Sequence, residues 1–188
     1  EWSIVNMSME ATRQRDAPRT KAKILAAAQQ AFAELGYARA GIREIAAIAD
    51  VSSTLLLRYY GSKAGLFEAA LIEAMPLNEL FSAGREHFGA HVAAMLSREE
   101  LDIKPPPMIA MAVGDEEARE IAARVTLEYS VEPLAKWLGG RDAKARAVRI
   151  SMLAISFVMF TRQIPLSAID RKQTKWLAES LQAIVDES

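Results

Sequence analysis

Residues 41 to 67, GIREIAAIADVSSTLLLRYYGSKAGLF, restrict the possible folds more than any other stretch, because two short helical patterns meet there across a tight turn. Ile42, Ile45, Ala46 and Ala49 fall at the three-and-four spacing of one buried helical face. Ala46 sits where two steeply crossing helices come closest, and a larger side chain would push them apart. Asp50 stands at the turn, and Asp is among the few non-glycine residues that enter the left-handed region readily. Val51 plugs the corner, and Ser52 or Ser53 caps the second helix by accepting from its unpaired N–H groups. Leu56 and Tyr59 hold that helix to a core. Ser53, Thr54, Leu57 and Arg58 then share the opposite, outward face. The pattern is a helix-turn-helix.

The segments on either side reinforce it. Ile24, Ala28, Ala31, Phe32 and Leu35 make a helical stripe, with Thr20 after Pro18 as its N-cap and Gly36 as its C-terminal stop. Arg13, Arg15, Arg19, Lys21 and Lys23 form a basic approach, able to lie along phosphate or to remain a solvated leader. After the second helix, Gly61 ends it, Ser62 caps the next, and Lys63 falls at that helix's positive N-terminus, where N–H groups and an ammonium can hold one phosphate. Residues 1–67 carry nine basic and six acidic side chains, so they are net positive while the whole chain is at −1. That polarity suits a molecule with one end facing phosphate.

Three ungapped pieces, TKAKILAAAQQAFAELGY, IREIAAIADVS and LRYYGSKAGLF, together resemble the DNA-binding domain of the tetracycline-repressor (TetR) family of bacterial transcriptional regulators. They span residues 20 to 67, about a quarter of the chain. The resemblance implies contacts to DNA from Arg43, Ser52, Ser53, Thr54, Leu57, Arg58, Tyr59 and Lys63. The chain departs from the family pattern at Ala40 and Gly41, usually Thr or Ser, at Asp50 and Thr54, usually Gly, and at Leu57, usually aromatic. Operator preference therefore does not transfer with the motif.

Half of the 188 residues are apolar, enough for a real core. With no cysteine there is neither a disulfide framework nor a thiolate metal site, which suits a reducing cytoplasm. The apolar run 150–161 is shorter than a membrane span and is flanked by Arg149 and Arg162. The opening EWSIVNMSMEATRQRDAP lacks the basic start and apolar core of a signal peptide.

Beyond residue 67 no strand-like alternation occurs, and the chain reads as all-α with about nine helices. Phe67, Ala70, Leu71 and Ala74 point inward on a helix ended by Pro76, and Leu77 to Met95 forms one further stripe. Lys104-Pro105-Pro106-Pro107 is a break before a short helix from Met108 to Val113. Asp115 caps a long helix to Leu138 in which Pro133 removes the bond to the Tyr129 carbonyl and should kink the rod. Asp142 caps the next helix, up to Pro165, and Asp170 with Gln173 forms a capping box for the last. The expected division is an arm or leader at 1–18, the helix-turn-helix domain at 19–65, and a ligand-binding and dimerisation domain at 66–188.

The last two helices are apolar on more than one face, around Leu153, Phe157, Val158 and Phe160, so one face needs a partner. The resemblance implies a homodimer through these helices, with Val148, Met152, Ile155, Met159, Leu177, Leu181 and Ile184 at the interface. Such a dimer sets two recognition helices about one DNA turn, roughly 34 Å, apart, to match a palindromic operator. The resemblance also implies a small-molecule pocket in the second domain, for which Phe81, Arg85, Phe88, His91, Met95, Met108, Met111, Glu128, Tyr129 and Trp137 are the candidates.

His87 and His91 have the spacing of a zinc pair, but Glu86 precedes them, so HExxH is absent and no third ligand stands nearby. No phosphate loop, nucleophile elbow or cysteine nucleophile occurs, and no cofactor, metal or enzyme activity is expected. The resulting expectation is a cytoplasmic ligand-responsive repressor, released from its operator by a small molecule. A ligand-binding protein of the same fold that no longer reads DNA, and an all-α enzyme using the C-terminal cavity, are the competing readings.

Overall fold

Helices alone build this chain: no strand occurs among the described residues of the computed structural model, which are 2–98, 100–164, 166 and 169–187, with side chains from Ala17 onward. In chain order they are α1 (Trp2–Arg39), α2 (Ile42–Ile48), α3 (Ser53–Tyr60), α4 (Lys63–Ala74), the five-residue α5 (Leu77–Phe81), α6 (Phe88–Ser97) and α7 (Pro105–Ala112). Two composite rods follow: α8 (116–138) and α9 (143–163), each interrupted or ended by a π-turn. The last is α10 (Arg171–Asp186). Nine helices of seven or more residues are thus present among the described residues, in line with the count expected from sequence.

The chain buries two cores. The first joins Ile24, Ala28, Phe32, Ile45, Leu56, Leu66, Phe67 and Leu71 of α1–α4 to Met108 and Ala112 of α7 and to Ala118, Ile121, Ala122 and Val125 of α8. The second gathers Phe88, Val92 and Leu96 of α6, Val131, Leu134 and Leu138 of α8, Ile150, Phe157 and Val158 of α9, and Leu177, Leu181 and Val185 of α10. One rod, α8, therefore belongs to both. Between its two buried stretches lies the π-turn Leu127–Val131, where the Glu132 N–H donates to the Leu127 carbonyl, five residues back.

Pro133, which has no N–H to donate, follows this turn by two residues, so the rod departs from regular geometry close to where the proline was expected to disturb it. Several boundaries differ from the sequence reading. Thr20 is no N-cap, because α1 already runs from Trp2, whereas Gly36 (φ 76°, ψ 163°) is non-helical and stops the long helix as expected, with one further turn beyond it to Arg39. Gly84 (φ 69°) breaks the Leu77–Met95 stripe into α5 and α6. The three prolines 105–107 open α7 instead of preceding it, since first-turn N–H groups have no intrahelical partner to lose. Asp142 (φ 53°) precedes α9 without a capping hydrogen bond. The capping box is present, with Asp170 accepting from the Lys172 and Gln173 N–H groups and Gln173 Oε1 accepting from Asp170 N. Pro165 and the side chains of Arg13 and Arg15 lie outside the described residues.

Helix α6 packs closely along α10, and Gly89 makes this possible: a Cβ there would sit 2.2 Å from the Ala178 carbonyl oxygen and 2.8 Å from Gln182 N. Buried Arg146 ties three ends of this half together, donating to the carbonyls of Val185, Glu187 and Gly139. Charged donors on helix-terminal carbonyls satisfy acceptors that would otherwise be orphaned.

Candidate nucleic-acid interface and buried cavity

Every local device read in the helix-turn-helix has its physical counterpart. Ile45, Ala46 and Ala49 are buried, and Asp50 takes the left-handed conformation (φ 55°). Ser52 is the N-cap of α3, its hydroxyl accepting from Leu55 N at 3.1 Å, so Ser53 becomes the first helical residue. Leu56 is fully buried. Thr54, Leu57 and Arg58 are exposed on the opposite face, with Ser53 partly so, and Arg43 of α2 is exposed as well. Tyr59 differs from the rest, being half-covered, with the Lys21 ammonium 5.3 Å from its ring centroid.

The turn into α4 is as tight as the α2–α3 corner. Ser62 caps α4, accepting from Gly65 N at 3.0 Å, and a Cβ on Gly65 would meet the Tyr60 carbonyl oxygen at 2.2 Å. Lys63 stands in the first turn of α4 as expected, yet its ammonium folds back 4.6 Å from the Tyr37 ring centroid and donates to the Ala38 carbonyl at 3.4 Å. The Tyr37 ring stacks on Phe32 and meets Phe67 edge-on.

Tyr37 itself reaches the second half of the molecule, donating its hydroxyl proton to Glu117 Oε2 of α8 at 2.7 Å. Burial first, and then the hydrogen bond and charge of Glu117, push this phenol well above its ordinary value. One helical face further on, Arg124 of α8 pairs with Glu68 of α4 at 2.9 Å. Hydrogen bonding to Arg124 holds the Glu68 carboxyl below its usual range. Neither Tyr37 nor Glu117 stood out in the sequence; Tyr in a helix after an apolar stripe reads as core, and its partner lies 80 residues away.

Where the two cores meet, a partly open cavity of about 90 Å³ is lined by Met75, Pro76, Leu80, Phe88, Val92, Met95, Leu96, Ile103, Pro105, Pro106, Ile109, Thr126, Ser130, Leu134, Ile150, Ser151, Ala154 and Ile155. Of the sequence candidates, Phe88 and Met95 line it. The others lie elsewhere for identifiable reasons. Met108 is fully buried in the first core, and Met111 packs beside Gly36. Phe81 and Trp137 stack on each other, and Arg85 donates to the Trp137 and Leu138 carbonyls. His91 Nε2 lies 2.7 Å from the Glu79 carbonyl oxygen and 3.2 Å from the Ser82 hydroxyl. Glu128 and Tyr129 face outward from the π-turn. Periodicity picked the apolar stripes but not which side of each faced the gap. The hydroxyls Thr126, Ser130 and Ser151 were missed because Thr and Ser inside helices carry no distinguishing pattern.

The interface expectation is corrected likewise. Leu177, Leu181 and Ile184 are buried within the chain's own second core, Val148 packs partly on it, and Ile155 lines the cavity. Met152 is 61% exposed and Met159 half-buried, while Phe160 of α9 and, at 55%, the unforeseen Trp176 of α10 are exposed as well.

Among the described residues no group of three His, Cys, Asp or Glu side chains is placed to hold a metal ion, and no helix is long and apolar enough to cross a membrane. Comparison with curated proteins gives no match. The family model for bacterial regulatory proteins of the tetR family matches residues 24–70. Among solved structures, a TetR-family regulator from Streptomyces coelicolor A3 is 27% identical over 92% of this chain and 97% of its own, with a TM-score of 0.54. NalD, the secondary repressor of the MexAB-OprM multidrug efflux pump in Pseudomonas aeruginosa, is 19% identical over 88% and 95%, with a TM-score of 0.62. A protein from Saccharomonospora viridis described as a transcriptional regulator, solved with choline, is 15% identical over 91% and 97%, with a TM-score of 0.61; these last two likenesses are of fold. Residues 24–70 thus match the model of the tetR family of bacterial regulatory proteins on a helix-turn-helix built to the geometry described above, and the fold along the rest of the chain is similar to that of TetR-family regulators.

Proposed function

We propose that this protein is a ligand-responsive transcriptional repressor that binds a palindromic operator as a homodimer and leaves it when a small molecule enters the cavity between the cores. The observation that carries the reading is the exposed face of α3, where Thr54, Leu57 and Arg58 stand free on a helix anchored by Ser52 and Leu56. A short helix so held is rigid enough to enter a major groove, with Arg43, Ser52, Ser53 and Lys63 flanking it toward phosphate. The dimer uses the outward face of α9 and α10, around Met152, Phe160 and Trp176. In this reading residues 19–65 read DNA and 66–188 bind ligand and partner, with the first core spanning the boundary between them.

Coupling between cavity and DNA runs through α8 and the end of α4. Thr126, Ser130 and Leu134 of α8 and Met75 after α4 line the cavity. Two and nine residues before Thr126 along α8, Arg124 and Glu117 grip Glu68 of α4 and Tyr37 of α1. A ligand that shifts α8 at its π-turn therefore displaces the support of α1 and α4 together. It acts only through its different affinity for the DNA-competent and DNA-incompetent states, and coupling of about 1–3 kcal/mol is enough for regulation.

The test is selection from random duplex DNA with purified protein at near-physiological salt. Enrichment of one palindrome, bound by two protomers, is expected. A folded protein that enriches no sequence contradicts the reading.

A further inference from the structure

Resting on the reading of the cavity as an effector site, we infer that its ligand is a small uncharged molecule, apolar over most of its surface and carrying one hydrogen-bonding group that meets Thr126. The lining sets the class. Its wall is aliphatic, proline, methionine and one phenyl ring, with no ionisable side chain among the lining residues. An ion inside would lose its hydration with no opposite charge to replace it, a cost that far exceeds what apolar contact returns. One aromatic ring, Phe88, is no cage for a cation, which is held well only by several faces at once.

One buried side-chain polar atom in this wall lacks a partner among the described residues. Thr126 Oγ1 is buried and makes no hydrogen bond, whereas the Ser151 hydroxyl donates to the Ala147 carbonyl at 3.0 Å. Buried polar groups are almost always paired, so an unpaired hydroxyl in a cavity wall marks where a ligand's polar group belongs. Thr126 also immediately precedes the π-turn, the one place where α8 departs from regular geometry between its two cores. A hydrogen bond there acts directly on the rod that grips Tyr37 and Glu68.

Size and surroundings narrow the class further. At about 90 Å³ the cavity is smaller than the roughly 150 Å³ apolar cavity that takes up benzene, so it suits a ring or branched chain of about six heavy atoms. It shares Met75, Pro76, Met95, Leu96, Ile103 and Pro105 with an adjoining hollow whose rim carries Glu73, Glu79 and Asp102. The basic side chain on that rim, Lys104, is paired with Asp102 at 2.7 Å. Approach by an anion is therefore disfavoured before it reaches the wall.

Three probes of matched shape separate the classes: cyclopentanol, cyclopentylammonium and cyclopentanecarboxylate, titrated into the full-length protein without DNA by calorimetry and by ligand-observed NMR. The expected result is binding of cyclopentanol, with the two ions at least tenfold weaker. Thr126→Val, which keeps shape and removes the hydroxyl, is expected to weaken cyclopentanol by roughly two- to twelvefold, the worth of one neutral hydrogen bond. Ala154→Leu, which fills the cavity, should abolish binding while the protein stays folded by circular dichroism. Equal or tighter binding of either ion overturns the inference. So does binding indifferent to Thr126→Val, as when a water rather than the ligand satisfies that hydroxyl, and so does failure of all three probes to bind. These titrations contain no DNA, so a cyclopentanol complex that leaves operator binding untouched would count against the repressor reading alone.

Discussion

Replacing Tyr37 by Phe removes a single oxygen atom from the seam between the DNA-reading half and α8. The ring keeps its neighbours: Phe32 at 5.9 Å and Phe67 at 5.4 Å between centroids, with the Lys63 ammonium 4.6 Å away. The hydrogen bond to Glu117, 2.7 Å long, is what disappears. Hydrogen bonds to charged groups contribute roughly 1.5–3 kcal/mol, and exposed Glu117 regains water when abandoned, which places the loss near the lower end, about 1.5 kcal/mol. For a chain of this size that lowers Tm by about 3–6 °C.

A second signature is the pH dependence. The Tyr37 phenol is raised in the folded state by burial and by Glu117, so folding favours its protonated form. Its contribution is complete below the unfolded phenol value of about 10 and is lost as pH climbs from there toward the folded value. Wild type should therefore lose stability faster than Tyr37→Phe above about pH 10. Urea unfolding followed by circular dichroism from neutral to strongly alkaline pH measures both effects. Equal midpoints near neutrality, or parallel curves through the alkaline range, would refute the role assigned to this bond.

Four further outcomes follow from the same geometry. Gly89→Ala forces a Cβ against the Ala178 carbonyl and should cost about 1–3 kcal/mol by overpacking the α6–α10 contact, seen as a lower urea midpoint. Ser52→Ala removes the α3 cap and should cost about 1 kcal/mol, with a matching fall in Tm. Arg58→Ala should weaken binding to the selected operator by about 1–3 kcal/mol in fluorescence anisotropy, and unchanged affinity would mean that α3 presents another face. Met152→Lys combined with Trp176→Lys should yield folded monomers in analytical ultracentrifugation, because like charges then occupy the outward face of both protomers.

The helix-turn-helix was legible in the sequence because each of its devices is local. Ser52 caps a residue three positions away, Asp50 adopts its turn by itself, and Ala46 is small where two neighbouring helices cross. What escaped depends on partners distant in the chain. Leu177 and Leu181 carry the same periodicity whether they face a second protomer or α6 of their own chain, and they face α6. Trp176 adjoins them on the outward side of the same helix, where an apolar residue among polar ones was the available signal. The cavity wall drew on α5 to α9 at once, so a stripe on any one helix could not show which residues met the gap. Proline was the other source of error: Pro105 to Pro107 read as a break, yet they open α7, where first-turn N–H groups have no bond to lose.

The central claim is that the cavity and the DNA-reading face are coupled through α8. It is tested most directly by measuring operator affinity with and without saturating cyclopentanol, and cyclopentanol affinity with and without operator, on the same dimer. Coupling requires the two affinity ratios to be equal, and the expected weakening is about 5- to 150-fold. It should shrink in Tyr37→Phe combined with Glu68→Gln, which releases both grips of α8. Cyclopentanol bound in the cavity with operator affinity unchanged would contradict the claim.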